Sequence, residues 1–440
     1  MEQSKPSPFG QKLMEAICRI TTSNSPTVDG PAEIWSEGML LKPRQGMTIY
    51  IPYTETTRIE PANYRVNISK PSADIVLSSL GTRYDGFSQK LVDTRGDALV
   101  SALLMKEPNI ICETRAFYTH TTGSKQFSAA CRARICPTSL ILIPAEMLPL
   151  RIPLSFIKSV DAENFKLKIT TSKTGIFELS RMGNAFQYFL DSLTGAQRAL
   201  EATAIEAILE MLPSATSDEI QTLAKMMPEG WPAARKDIET ISKELWKLLE
   251  TKVNDTPLAQ TYDYLTSIGE AEHAAIGLKK TMKSTYVWFL VPITGTLENG
   301  GNTLAMEIVT EKGHATYLFR VLSRKSFTTP PREEFLRETE RLAETLSEAM
   351  IATGFRREPI YLDDERLLTE AYRKYLFAAG NLSELKLLRR RFYARTIHRN
   401  FENWKQNLHE ALRFNTSAES DDQRWSASNN EPEEKDEESQ

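Results

Sequence analysis

The sequence predicts an α+β fold in which one antiparallel sheet-plus-helix unit is written twice in tandem. A helical connector, a small C-terminal α+β domain with C-terminal helices, and an acidic tail follow. Three observations carry this. First, the chain repeats itself at a displacement of 101 positions: Ile49-Tyr50-Ile51-Pro52-Tyr53-Thr54 lies over Leu150-Arg151-Ile152-Pro153-Leu154-Ser155, and Ile59 over Val160. Asn63-Tyr64-Arg65-Val66-Asn67-Ile68-Ser69 falls on Asn164-Phe165-Lys166-Leu167-Lys168-Ile169-Thr170 at the same displacement. After a one-residue slip, Leu77-Ser78 falls on Leu179-Ser180, Leu80-Gly81 on Met182-Gly183, and Phe87 on Phe189. Second, apolar residues alternate within each copy and then change to helical spacing at its end. Third, at 440 residues several domains are expected rather than one core.

Residues 1–31 read as an N-terminal helix, Phe9 to Ile20, followed by a Thr/Ser/Pro-rich linker. The first repeat spans 32–108. Its strands are Gly38–Leu41, Thr48–Ile51, Tyr64–Ile68 and Asp74–Leu77, closed by Tyr84, Phe87, Leu91, Leu99, Leu103 and Leu104 at helical spacing around Gly96. The second repeat, 109–211, opens with a strand from Glu113 to His120, a turn at 121–125 and a strand from Phe127 to Ile135. Four more strands are read at Leu140–Ile143, Leu148–Leu154, Phe165–Thr170 and Gly175–Ser180. A helical stripe from Met182 to Met211 closes this copy.

Several antiparallel strands capped by one C-terminal helix resemble the pleckstrin-homology and GRAM-like domains. The resemblance is fullest over 112–195, around Ile152-Pro153-Leu154-Ser155-Phe156-Ile157-Lys158-Ser159-Val160 and Phe189, and looser over 33–105. It implies a binding rather than a catalytic module.

The helical connector, 212–283, begins at Ser217-Asp218-Glu219, a helix start with early acids. It carries Ile238, Ile241, Leu245, Leu248 and Leu249, then a stripe from Thr261 to Leu278. The C-terminal α+β domain, 284–415, has strands at Tyr286–Val291, Leu304–Val309 and Ala315–Val321, with a hairpin turn at 311–314. A helix start is read at 329–331, followed by a helix to Gly354. Further helices are read over Leu367–Ala378 and Leu382–Leu412. Residues 416–440 are polar and acidic, a composition expected of a disordered tail.

The charge balance of −4 hides an asymmetry, because nine acids and two bases after Thr416 leave the preceding body near +3. So small an excess argues against nucleic acid as a partner. No apolar run reaches the roughly 20 residues that span a bilayer, and no secretory signal is visible, so a cytoplasmic protein is expected. Cys131 and Cys136, with Cys112 and His120, read as buried thiols and an isolated histidine. No metal and no cofactor are expected. No nucleotide, hydrolase or metalloprotease motif is present, and no enzyme is expected.

The sharpest candidate site is basic. Lys125, Arg132 and Arg134 match the arrangement that the pleckstrin-homology resemblance implies for an inositol phosphate, and side chains two apart on a strand share a face. Arg389, Arg390, Arg391, Arg395 and Arg399 are expected on one basic C-terminal helix, whose apolar stripe is Tyr393, Ile397, Phe401, Trp404, Leu408 and Leu412. The leading expectation is a non-enzymatic binding or scaffold protein for a protein or peptide partner, docked between strands and closing helix or on sheet edges. The alternative is an anionic lipid or phosphate ligand on the second repeat, which would place the protein at the inner face of a membrane. The sequence leaves oligomeric state and partner identity open.

Overall fold

A computed structural model describes residues 9–23, 25–280, 285–296, 300–308, 314–323 and 332–417. The turn positions 311–313, the helix start at 329–331 and the tail beyond 417 lie outside the described residues. The chain divides into two compact units, residues 1–199 and 200–440.

The first unit contains both repeats, and they are the same fold. Strands β1 (Lys12–Thr22), β2 (Ser25–Trp35), β3 (Gly38–Leu41), β4 (Ile49–Pro52), β5 (Arg58–Ala62), β6 (Arg65–Ser69) and β7 (Ile75–Ser78) make one antiparallel sheet. Its order is β4-β3-β2-β1-β7-β6-β5, and helix α1 (Tyr84–Ala102) follows it. Strands β8 (Cys112–Thr122), β9 (Lys125–Ile135), β10 (Ser139–Pro144), β11 (Leu150–Pro153), β12 (Ile157–Glu163), β13 (Lys166–Thr171) and β14 (Ile176–Ser180) repeat that order, followed by α2 (Phe186–Met211).

The register repeats as well. Ile59 pairs with Ile68, and Val160 with Ile169; Val66 pairs with Leu77, and Leu167 with Leu179. The slip from 101 to 102 therefore arises in the turn between the sixth and seventh strands of each copy. Both copies bury an alternating face: Ile59, Val66, Ile68 and Leu77 in one, Leu167, Ile169, Phe177 and Leu179 in the other. Phe87 and Phe189 reach these cores from the helices, and each is fully buried. A buried phenyl ring is worth roughly 2–3 kcal/mol of transfer free energy.

Two expectations for the first unit are corrected. The N-terminal helix is instead strand β1, and the linker is β2, so the first repeat begins near Phe9 and has the opening hairpin of the second. Leu13 and Ile17, which give the segment its helical spacing, are 38% and 57% exposed. The buried set is Ala16, Cys18 and Ile20, a period of two. Strands β5 and β12 are additions to the strands expected from the sequence. Both are sheet edges; β12 buries little, and β5 contains Pro61.

In the second unit, helices α3 (Ser217–Met226), α4 (Arg235–Glu239), α5 (Lys243–Asn254) and α6 (Ala259–Ile268) pack with a six-stranded antiparallel sheet. Its order is β15 (Ala233–Ala234), β16 (Ala275–Lys280), β17 (Thr285–Thr296), β18 (Gly300–Ile308), β19 (Ala315–Arg320) and β20 (Phe392–Ile397). Helix α3 begins with a full capping box, the Thr216 hydroxyl meeting the Glu219 amide while the Glu219 carboxylate takes the Thr216 amide. The later helices are α7 (Arg332–Ala352), α8 (Glu358–Tyr361), α9 (Asp364–Leu367), α10 (Leu376–Asn381), α11 (Ser383–Arg391) and α12 (Phe401–Thr416).

The connector is thus part of the third domain. The stripe from Thr261 to Leu278 is a helix only to Ile268 and then becomes β16. All nine residues of β18 are buried, because helices cover both faces of the sheet. The long helix expected over Leu382–Leu412 is α11, then β20, then α12. Phe392-Tyr393-Ala394-Arg395-Thr396-Ile397 is rich in aromatic and β-branched residues, and the 3–4 spacing that continued through it is a coincidence of neighbours. The expected helix over Leu367–Ala378 is broken into α9, a short turn and α10.

Candidate binding surfaces

In the first unit the two arginines of the candidate phosphate site do converge, on carboxylates of the chain itself. Arg132 and Arg134 stand two apart on β9, and each side chain is only 11% exposed. The Arg132 guanidinium meets Asp97 at 3.0 Å, Glu113 at 3.2 Å and Asp93 at 3.3 Å, and donates to the Asp93 carbonyl at 2.8 Å. Arg134 meets Glu113 at 2.6 Å and Asp97 at 2.7 Å. Burial works against the Arg134 charge. The bonds to Asp97 and Glu113 overcome it and hold the pKa above the usual arginine value. Lys125 is exposed at the far end of the same strand, seven residues from Arg132 or about 23 Å at strand rise. The three basic residues therefore do not share one phosphate-sized space.

Asp93 and Asp97 lie one turn apart on α1, the closing helix of the first repeat, so these contacts latch it to the sheet of the second. Between them sits Arg95, 1% exposed and without a carboxylate partner among the described residues. Its guanidinium donates to the Thr56 hydroxyl at 2.9 Å and to the carbonyls of Thr57, Ala145 and Thr56 at 3.1, 3.2 and 3.2 Å. Burial lowers its pKa to about 10. A Cβ on Gly96 would lie 2.5 Å from Ile143 Cγ2 and 3.0 Å from Arg132 Nη2, so only glycine lets α1 come this close. The opposite-charge spacing on α1 and β9 was present in the sequence. Nothing in it marked Arg95 as buried.

The five arginines expected on one basic helix are spread over three elements, which corrects that expectation. Arg389, Arg390 and Arg391 end α11, Arg395 is on β20, and Arg399 is in the following turn. Arg389 donates to the carbonyls of Pro359 and Leu362, both at 2.7 Å, and pairs with Asp364 at 2.5 Å. Arg391 donates to the Val321 carbonyl at 2.5 Å, and burial lowers its pKa. Arg395 and Arg399 are exposed, and neither has a carboxylate partner among the described residues.

Those two arginines border a groove of about 710 Å³ between β20 and α12, which Ile397, Asn403, Asn407 and Phe414 also line. Ile397 and Phe414 remain 47% and 42% exposed. Among the described residues strand β20 is the last of its sheet, paired only with β19. The His398 amide donates to the His314 carbonyl at 3.2 Å, continuing the β19 ladder. By antiparallel alternation, the backbone groups of Ile397 and Arg395 point to the open side.

The wall formed by α12 is fixed at both ends. Asn400 caps it, its side chain accepting from the Asn403 amide at 2.8 Å. Trp404, Leu408 and Leu412 enter the core of the sheet face. At the far end, Asn415 donates to the carbonyls of Gly301 and Asn302 at 2.8 and 2.9 Å and accepts from Arg320 at 2.6 Å. Under Trp404 lies a buried polar row. Thr316 donates to Glu307 at 2.6 Å and accepts from the Trp404 indole at 2.8 Å, and His398 meets Glu307 at 3.2 Å. Glu307 is fully buried, and neither it nor His398 lines the groove. This row ties β20 and α12 to the sheet, so the groove is preformed. No group of three His, Cys, Asp or Glu among the described residues has metal-holding geometry. No helix among them is long and apolar enough to cross a membrane.

No protein-family model matches this sequence, and no curated protein does. Among solved structures, a chain of the Spt16D–Pob3N heterodimer is similar over 37% of this chain and 86% of that one, at 13% identity and a TM-score of 0.16. The two seven-stranded antiparallel sheets share one strand order, and with their closing helices and the third sheet they make an α+β fold.

Proposed function

We propose that this chain is a non-enzymatic binding protein that docks an extended peptide segment of a protein partner along the open edge of β20. The observation that carries this reading is a strand edge unpaired among the described residues, beside a preformed groove with two exposed apolar residues. A strand added there gains ladder hydrogen bonds of about 1 kcal/mol net each. Four such bonds alone give only about millimolar binding. One leucine-sized side chain buried against Ile397 adds about 2 kcal/mol, which brings the affinity to tens of micromolar.

The alternative ligand, an anionic lipid or phosphate at Lys125, Arg132 and Arg134, would have to displace Asp93, Asp97 and Glu113 and open the latch between the repeats. No feature of the geometry favours it.

The test selects 12-residue peptides from a random displayed library on the full chain and measures their affinity for the parent, Ile397→Ala and Ile397→Pro. Proline removes the outward amide while tolerating an edge position. Ile397→Ala should weaken binding about threefold, and Ile397→Pro at least tenfold, with the unfolding midpoint nearly unchanged. Equal binding to all three would overturn the reading.

A further inference from the structure

We infer that the acidic segment 418–440 of this same chain is a competing occupant of the β20–α12 groove. The inference rests on the peptide-groove reading and adds a regulator to it. Three features converge. The segment follows directly on α12, whose Phe414 lines the groove. It carries Glu419, Asp421, Asp422, Glu431, Glu433, Glu434, Asp436, Glu437 and Glu438 against Arg424 and Lys435, a net charge of −7. The groove offers Arg399, exposed and without a carboxylate partner among the described residues, and at its border Arg395, whose guanidinium lies 4.2 Å over the Tyr361 ring, against Glu410 as its one acid.

The lengths agree. From Asn403 to Phe414 the helical wall is about 16 Å long at helix rise. About five extended residues cover that distance. A chain turning back at Ser417 therefore brings Asp421 and Asp422 to the end where Arg399 stands. The next few residues hold Trp425, the single aromatic of the segment, which matches the apolar surface of Ile397 at that end. Opposite charges in such a partly screened setting favour the docked form most at low salt. Tethering makes weak docking effective. At an effective concentration near 1 mM, a segment that binds at about 100 μM in trans occupies the groove roughly ten to one in cis.

The experiment compares the full chain, a chain ending at Ser417, and a full-length variant in which the nine acids become Asn or Gln. Backbone hydrogen exchange over Phe392–Ile397 is read by mass spectrometry, and affinity for one library-selected peptide is read in parallel. Docking predicts faster exchange and about tenfold tighter peptide binding in both altered chains, with Trp425→Ala in between. A synthetic 418–440 peptide should restore protection to the chain ending at Ser417, and 0.5 M NaCl should reduce that effect. Identical exchange and identical peptide affinity in all chains would overturn the inference while leaving the groove reading intact. Loss of Ile397→Pro sensitivity in the chain ending at Ser417 would instead count against the groove reading itself.

Discussion

Arg95 carries an uncompensated charge inside the first unit, and its cost is balanced only by four hydrogen-bond acceptors. Arg95→Ala leaves the carbonyls of Thr57 and Ala145 without that donor, and should cost about 3 kcal/mol in urea unfolding. Its neighbour gives a test with a sign. Replacing a helical glycine by alanine normally gains about 1 kcal/mol. Gly195, with open space around its Cβ position, should show that gain as Gly195→Ala, whereas Gly96→Ala should destabilise because its methyl meets Ile143.

The thiols also follow burial. It raises Cys112, takes Cys18 and Cys131 up to about 12, and takes Cys136 to about 11. At pH 8 the thiolate of a group with a pKa near 12 is about one part in ten thousand. Iodoacetamide should therefore label the native chain slowly and all four cysteines quickly in urea. Glu33 behaves oppositely. Burial pushes its carboxyl up, but bonds from Lys42, Lys12 and Trp35 outweigh that and hold it below its ordinary value of 4.5. A lowered folded pKa means stability that is present above about pH 4.5 and lost as pH falls through the folded value. Glu33→Gln should flatten stability against pH in that acid range, and an unchanged slope would contradict the assignment.

At the scale of elements, legibility followed burial. The strands read from Tyr64 and Phe165 begin one residue later, because Asn63-Tyr64 and Asn164-Phe165 form turns of the same left-handed geometry, φ 51° and 57° in both copies. A bulky residue there costs about 1 kcal/mol. In each copy its ring rests on the first residue of the closing helix, Tyr64 on Tyr84 at 5.3 Å and Phe165 on Phe186 at 5.6 Å. Such contacts return a similar amount. Central strands with one buried face, such as β6 and β13, showed clean alternation and were read correctly. The opening hairpin was missed because exposed Leu13 and Ile17 imitate a helix stripe. Strand β20 was missed for the related reason that Tyr393, Ile397, Phe401 and Trp404 keep helical spacing across a strand, a turn and a helix start. The groove went unread with it, since its edge exists only if β20 is a strand.

For the whole molecule, the two functional readings lie in different units: the second repeat around Lys125, Arg132 and Arg134, and the edge strand beside α12. The sequence placed Arg132 and Arg134 correctly on β9, and read Lys125, the first residue of that strand, in the turn before it. It could not reveal that Asp93 and Asp97, from a helix some forty residues earlier, would meet Arg132 and Arg134. Such non-local pairing is set by how two modules dock, and local patterns carry no trace of it. The latch should appear as coupling in a double-mutant cycle of Arg132→Ala and Asp97→Ala, about 0.5–1 kcal/mol because the Asp97 side chain is half exposed. Additive effects would deny it.

The most direct test of the central claim is a hydrogen-exchange footprint of the full chain with and without a selected peptide. The account predicts new protection at Phe392–Ile397 and along the groove side of α12, with Lys125–Arg134 unchanged. Protection confined to Lys125–Arg134, with β20 exchanging as in the free protein, would contradict it.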